Sequence, residues 1–419
     1  MKPELLLPAG SLSKMRAAFA FGADAVYAGQ PRYSLRARNN EFGLEALKEG
    51  IAEARRMHRK FYVASNLMPH NAKVKTYLAD MEEVVDMKPD ALIMADPGLI
   101  MMVRERWPDM PVHLSVQANT VNYASVKFWG KLGLSRIILS RELSLEEISE
   151  IRQQCPDMEL EVFVHGALCI AYSGRCLLSG YFNHRDPNQG TCTNSCRWDY
   201  KVGEGSCGQQ ERHPLADREY YIEESKRPGE FMPIFEDEHG TYIMNSKDLR
   251  AVEHVERLVE IGVDSLKVEG RTKSLYYVAR AAQVYRRAID DAAEGKPFDP
   301  TLLAELEGLA NRGYTDGFYE RHHTQEYQNY MRGHSESSRS MYVGDVRSIE
   351  SGMAIISVKN RFQVGDRLEI IHPSGNRTVE LECMLDAEGH AIEVAPGDGH
   401  LVRIPLESGF EHALVAKFL

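Results

Sequence analysis

Short apolar runs recur along the first two thirds of this chain, and amphipathic stretches of helical length separate them. A parallel strand is buried on both faces and carries apolar residues in succession, so the alternation is that of parallel strands joined by helices. Eight such runs fall at 4–7, 25–28, 61–65, 91–95, 112–116, 136–140, 160–165 and 265–269. Helices are expected over 12–21, 44–57, 121–132, 144–154 and 248–261, and one more over 276–293. Eight strands in roughly 270 residues have the count and length of a TIM-like (β/α)8 barrel, so the fold class is α/β.

The 419 residues are too many for one compact core. We expect a barrel over 1–324, with an irregular insertion at 169–241 following strand seven. A polar linker over 325–339 (QEYQNYMRGHSESSR) then leads to a small C-terminal β domain over 340–419. In that domain, alternating runs at 341–346, 353–358, 367–371, 378–383 and 400–404 are separated by turns such as Pro373-Ser-Gly-Asn376, which suggests an all-β, barrel-like module. Its stretch QVGDRLEIIHPSGN resembles the β modules of translation factors, a pattern shared by RNA-contacting and purely packing domains.

Strand parity indicates what lines the barrel. Outward residues meet helices and should be apolar, while inward residues are free to be polar. Val162 and Val164 on strand seven, Leu266 and Val268 on strand eight, and Leu114 and Val116 on strand five form the apolar parity. The lumen should then hold Glu161, His165, Lys267, Glu269, His113 and Gln117. Buried charges need partners, so Lys267 should pair with Glu161 or Glu269. His165, Glu161, Lys267 and Glu269 are the catalytic candidates. For Glu161 the competing reading is a polar plug at the barrel floor.

Composition, 43% apolar and 26% charged, is that of an ordinary globular protein. No run approaches the roughly eighteen consecutive apolar residues of a membrane span, and the first strand starts almost at once. A cytoplasmic location without membrane attachment is expected. The formal charge, 50 − 61 = −11, gives no general attraction to nucleic acid, so a polynucleotide would have to be met by local patches. One candidate is the loop with Arg32, Tyr33, Arg36 and Arg38; the other is the helix end with Arg55, Arg56, Arg59 and Lys60, which also reads as solvated surface.

Four of the seven cysteines crowd into the insertion, with six, fifteen and three residues between Cys169, Cys176, Cys192 and Cys196. Clustered thiols in a disulfide-poor chain more often hold a metal or an iron–sulfur cluster than staple a loop. Four thiolates complete either a zinc site or an iron–sulfur site, and spacing does not separate the two. Only Cys192-x3-Cys196 has a zinc-knuckle gap, and Asp199 stands where a C-x3-C-x2-C run would need its third cysteine. Cys155 and Cys383 read as buried structural residues, and Cys207 as a reserve ligand. Arg175 and Arg197 flank cluster cysteines and would balance their negative charge or clamp an anionic substrate.

These residues bring a resemblance. Glu161, Phe163, Gly166, Ala167, Leu168, Cys169, Gly174, Cys176 and Ser179 meet the signature Glu-x-Phe-x-x-Gly-Ala-Leu-Cys…Gly-x-Cys…Ser of peptidase family U32. Leu6-Leu-Pro-Ala-Gly10, Ala23-Asp-Ala-Val-Tyr-Ala-Gly29 and Lys267-Val-Glu-Gly-Arg271 also fit, and the resemblance spans essentially the whole chain. In length and domain arrangement the chain is most similar to the family's tRNA-modifying members. The resemblance implies oxygen-independent hydroxylation of wobble uridine at C5, with prephenate as hydroxyl donor. It also implies an iron–sulfur cluster, of [4Fe-4S] type, on Cys169, Cys176, Cys192 and Cys196. Arg32, Arg36 and Arg38 would then meet tRNA phosphates, with Tyr33 stacking on a base, and Arg141 and Arg271 would hold the two carboxylates of prephenate. The partners implied are tRNA and prephenate, with no stable protein partner. The proteolysis in the family name finds little support: the chain has neither His-Glu-x-x-His nor Gly-x-Ser-x-Gly, and Cys169 with His165 is the only imitation of a cysteine-peptidase pair. A zinc-stabilised binding module without catalysis is the third reading.

Overall fold

In the computed structural model the described residues are 2–35, 41–168, 247–311, 313–320 and 340–419, together with the backbone of three short strands at 220–223, 231–237 and 240–242. Seven strands follow one another in parallel: β1 (Glu4–Pro8), β2 (Ala25–Gly29), β3 (Lys60–Ser65), β4 (Ala91–Met94), β5 (Val112–Leu114), β6 (Arg136–Ile138) and β7 (Glu159–Ala167). The insertion contributes antiparallel strands β8 (Tyr220–Glu223), β9 (Phe231–Asp237) and β10 (Gly240–Tyr242), so it is not wholly irregular as expected; its aromatic and β-branched residues suit extended backbone. After β11 (Asp248–Arg250), strand β12 (Ser265–Val268) pairs in parallel with both β7 and β1 and closes the barrel.

The helices lie between these strands: α1 (Leu12–Ala20), α2 (Leu44–Arg56), a single turn α3 (Asn71–Val74), α4 (Tyr77–Asp86), α5 (Pro97–Arg106), α6 (Tyr123–Lys131), α7 (Leu145–Gln154), α8 (Val255–Ile261), α9 (Leu275–Ala293) and α10 (Thr301–Glu307). Several begin on a side-chain cap: Ser11, Asp96, Asn122, Ser144 and Ser274 each accept a backbone N–H of the first turn, and Ser144 with Glu147 forms a capping box. Those caps fix where each βα loop ends, and so shape the C-terminal face.

Two local expectations change. Residues 248–261 do not form one helix: β11 runs antiparallel to the end of β7, with Leu249 opposite Gly166, before a 3-10 turn and α8. The nine-residue β7 overshoots the barrel, and β11 supplies the hydrogen bonds that its overhang needs. Strand five stops at Leu114, and Val116–Ala118 is a 3-10 turn.

The C-terminal domain is antiparallel: β14 (Ser340–Glu350), β15 (Met353–Val358), β17 (Arg367–Ile371), β18 (Arg377–Glu380), β20 (Leu401–Pro405) and β21 (Leu414–Phe418) form a six-stranded half-barrel. A two-stranded piece, β16 (Phe362–Gln363) with β19 (Val394–Ala395), stands beside it, while β13 (Tyr314–Thr315) belongs to the barrel sheet beside β11. Strand β21, which the sequence pattern did not reveal, is central, pairing with β14 and β17. The domain meets the barrel along α9. There the Tyr276 ring stacks on Tyr342, and the buried Arg280 guanidinium contacts Glu305 at 3.3 Å and also Glu369. No helix of the described residues is long and apolar enough to cross a membrane.

Candidate active site

The lumen is built in layers. At the floor, β6 opens with Arg136, whose Nη1 contacts Glu4 Oε1 at 2.6 Å and Glu161 Oε2 at 3.1 Å. Glu161 Oε1 accepts from Lys267 Nζ at 2.7 Å, and all four residues are almost fully enclosed. Two cations and two carboxylates balance, so this layer is a satisfied polar plug. Burial pushes the Glu4 carboxyl up, but Arg136 and Lys60 outweigh it and leave Glu4 below the ordinary range. Burial pulls Lys267 down against the opposing pull of Glu161. His113 is also inside, edge-on to the Tyr62 ring at 4.7 Å, and burial, with Arg136 and Lys267 nearby, holds it far below its usual pKa. Arg136 and Glu4 were not singled out from sequence, although inward parity on strands six and one places them here.

Above the plug lie two rings. Lys267 Nζ stands 4.3 Å from the Tyr27 ring centre and 5.4 Å from that of Phe163. At the rim, the Arg141 guanidinium lies 3.9 Å over Phe163, donates to the Ala167 carbonyl at 3.1 Å and contacts Glu269 at 3.2 Å. Arg271 Nη1 donates to Ser34 Oγ at 2.6 Å, and its guanidinium carbon is 5.8 Å from the Tyr27 ring centre. Burial raises the Tyr27 phenol well above its usual pKa, and Glu269, Arg271, Arg141 and Glu161 all act on it, which places these charges around one ring. Lys267 and Glu161 are both committed to the floor, so among the described residues the rim sets two guanidinium groups, Arg141 and Arg271, against the Glu269 carboxylate. The mouth is electropositive and suits a small anion.

The parity argument holds for Glu161, Lys267 and His113 and fails at His165. Lys267 stands opposite Phe163, but Val268 stands opposite His165, so Val164 is an extra residue on β7. The bulge flips the face of everything after it. His165 therefore leaves the lumen and packs among Tyr277, Tyr285 and Tyr314 at ring distances of 5.5–5.6 Å. Burial there drives its pKa down to about 3, and it is not part of the mouth. Gln117 is buried in the turn after β5 rather than on the strand.

Other expected residues fall differently. Tyr33 is fully enclosed, with its hydroxyl on Asp80 and Thr76, so it is not available for stacking as expected. Arg32 is half exposed and paired with Asp80 at 2.6 Å. Of the second basic patch, Arg59 pairs with Asp24, Lys60 with Glu4, and Arg55 donates to the Lys88 carbonyl, all beside the strand starts and away from the mouth. Cys155 is buried as expected, whereas Cys383 is exposed because its segment lies beyond the edge strand β18. Cys169, Cys176, Cys192, Cys196, Cys207, Arg36, Arg38, Arg175 and Arg197 lie outside the described residues. Leu168, which follows directly on β7, is the last described residue before the cysteines.

Residues 10–329 match the model of peptidase family U32, and residues 338–416 match that of the peptidase family U32 C-terminal domain. The tRNA hydroxylation protein P of Escherichia coli (strain K12) is 61% identical, covering 98% of this chain and 95% of its own length. A protein of that name from Haemophilus influenzae is 57% identical over 100% of this chain and 96% of its own. The tRNA hydroxylation protein P1 of Bacillus subtilis (strain 168) is 35% identical over 97% and 92%, respectively.

Proposed function

The chain belongs to peptidase family U32, and from that premise we propose that it is a tRNA hydroxylase rather than a peptidase. The observation that carries the reading is near-full-length identity to tRNA hydroxylation proteins. In its finer form, the enzyme makes 5-hydroxyuridine at the wobble position without oxygen, taking the hydroxyl group from prephenate. The two guanidinium groups at the mouth support a dianionic donor: Arg141 and Arg271 would each take one carboxylate through charge-assisted hydrogen bonds. A flipped uracil would enter from the loop side of the same face.

The donor set of Cys169, Cys176, Cys192 and Cys196, four thiols within 28 residues that follow β7 in sequence, fits an iron–sulfur cluster. When bound, such a cluster would supply a redox or Lewis-acid centre. The chain's own residues then have separable tasks. Arg141 and Arg271 hold the anion, and the paired Lys267–Glu161–Arg136–Glu4 layer closes the floor beneath it. Glu269, which contacts Arg141 at the rim, would accept or return a proton there.

Purification without oxygen, with iron, sulfide and zinc analysis, tests the cofactor. A brown protein with about four irons, lost in Cys176→Ala, is expected. Mass spectrometry of tRNA from cells lacking the protein should show loss of 5-hydroxyuridine, restored by the wild type and not by Cys176→Ala. A colourless zinc protein and unaltered tRNA would overturn the reading.

A further inference from the structure

We propose that Ser34 is a positioning residue that aims Arg271 into the mouth. The inference rests on the proposed use of an anionic co-substrate and names a residue that neither motif nor parity singled out. Ser34 is fully buried, and its Oγ accepts from Arg271 Nη1 at 2.6 Å. The turn holding it is fixed from both ends. Gln30 Oε1 accepts the backbone N–H of Arg32 at 2.6 Å and of Tyr33 at 2.5 Å, and the Leu67 N–H donates to the Tyr33 carbonyl at 2.9 Å. The enclosed Tyr33 ring then plugs the turn against Tyr77, 4.8 Å between centres.

Gly29 shows how closely this corner is fitted. A Cβ there would lie 2.6 Å from Ser34 Oγ and 2.7 Å from Arg271 Nη1, so only glycine leaves room for the bond. An arginine side chain has four rotatable bonds, and anchoring Nη1 on a buried hydroxyl fixes where the guanidinium sits beside the Tyr27 ring. Arg141 is fixed in the same manner by the Ala167 carbonyl and Glu269. Both cations of the mouth are thus oriented before any anion arrives, which lowers the ordering cost of binding.

The test is calorimetric titration of prephenate into anaerobically reconstituted protein, with tRNA affinity measured in parallel by filter binding. Ser34→Ala should weaken prephenate about tenfold, the loss of one hydrogen bond to a charged group, and leave tRNA affinity within about twofold. Arg271→Lys, which cannot make the forked contact, supplies the second arm. Adding Ser34→Ala to Arg271→Lys should cost prephenate nothing further, because the hydroxyl's effect on the anion runs through the arginine fork. An undiminished tenfold loss in the Arg271→Lys background, or equal weakening of prephenate and tRNA by Ser34→Ala, would overturn the proposal. Binding is read here without turnover. Prephenate binding with the expected non-additivity but no tRNA hydroxylation would therefore remove the functional reading and leave Ser34 in its role.

Discussion

His165 illustrates how far a single residue's chemistry depends on which side of a strand it occupies. Turned outward, it meets three tyrosines and no water, and its folded pKa of about 3 lies below the ordinary histidine value of about 6.5. A base with a depressed folded pKa disfavours protonation in the native state. Between those two values the unfolded chain binds the proton and the native chain does not, so stability falls as pH drops through the window. From pH 6.5 to 4.5 the loss from this residue is about 2–3 kcal/mol. We expect His165→Phe, which keeps an aromatic ring in the site, to flatten the acid limb of unfolding free energy against pH by that amount. Urea unfolding at half-unit steps from pH 4.5 to 7.5 measures it. Parallel curves for the two proteins would show that the imidazole is protonated in the folded state.

At the scale of elements, what sequence reveals and what it hides divides at a definite place. The central barrel strands are legible because their two buried faces demand unbroken apolar runs, such as Leu5-Leu6-Leu7 and Phe61–Ala64, whose residues are almost fully buried. Parity correctly places Glu161 and Lys267 together because β7 and β12 run in register from Glu161 and Ser265 up to Phe163 and Lys267. One inserted residue, Val164, then reverses the face for His165, and a bulge has no signature in alternation alone. Strand β11 is hidden for a related reason: Asp248-Leu249-Arg250 has no strand composition and exists only because β7 overshoots. Gly166 marks the spot. Its φ is +110°, and a Cβ would come within 2.5 Å of the Glu269 carbonyl oxygen. Gly166→Ala should therefore cost about 2–3 kcal/mol of stability, and it should weaken prephenate as well, because the neighbouring Ala167 carbonyl holds Arg141. Denaturant unfolding and prephenate titration of this variant test both effects; wild-type values in each would mean that the overhang yields without strain.

At the scale of the whole molecule, charge and contacts favour packing over RNA contact for the C-terminal domain. From 340 to 419 the chain carries 7 Lys and Arg against 12 Asp and Glu, a balance of 7 − 12 = −5, which repels a phosphate backbone. The domain's strongest polar contact points inward instead. Arg280 of α9 is 2% exposed and lies between Glu305 on the barrel side and Glu369 on β17, while Gln283 donates to the His372 carbonyl at 3.1 Å. The first turn of α9 reaches the mouth, where the Tyr277 hydroxyl donates to the Glu269 carbonyl at 2.7 Å. The domain thus braces a helix that in turn braces the rim. Removing Arg280 strands Glu369 and Glu305 in a buried contact, and burial already pushes the Glu305 carboxyl upward against the opposing pull of Arg280. Arg280→Ala should lower stability by about 3 kcal/mol and split one calorimetric unfolding transition into two, the β domain melting first. Adding Glu369→Gln to Arg280→Ala should recover part of the loss, since the stranded charge is then gone. A single transition at the wild-type temperature in Arg280→Ala would mean that apolar contacts, led by Tyr276 on Tyr342, hold the two sheets together by themselves.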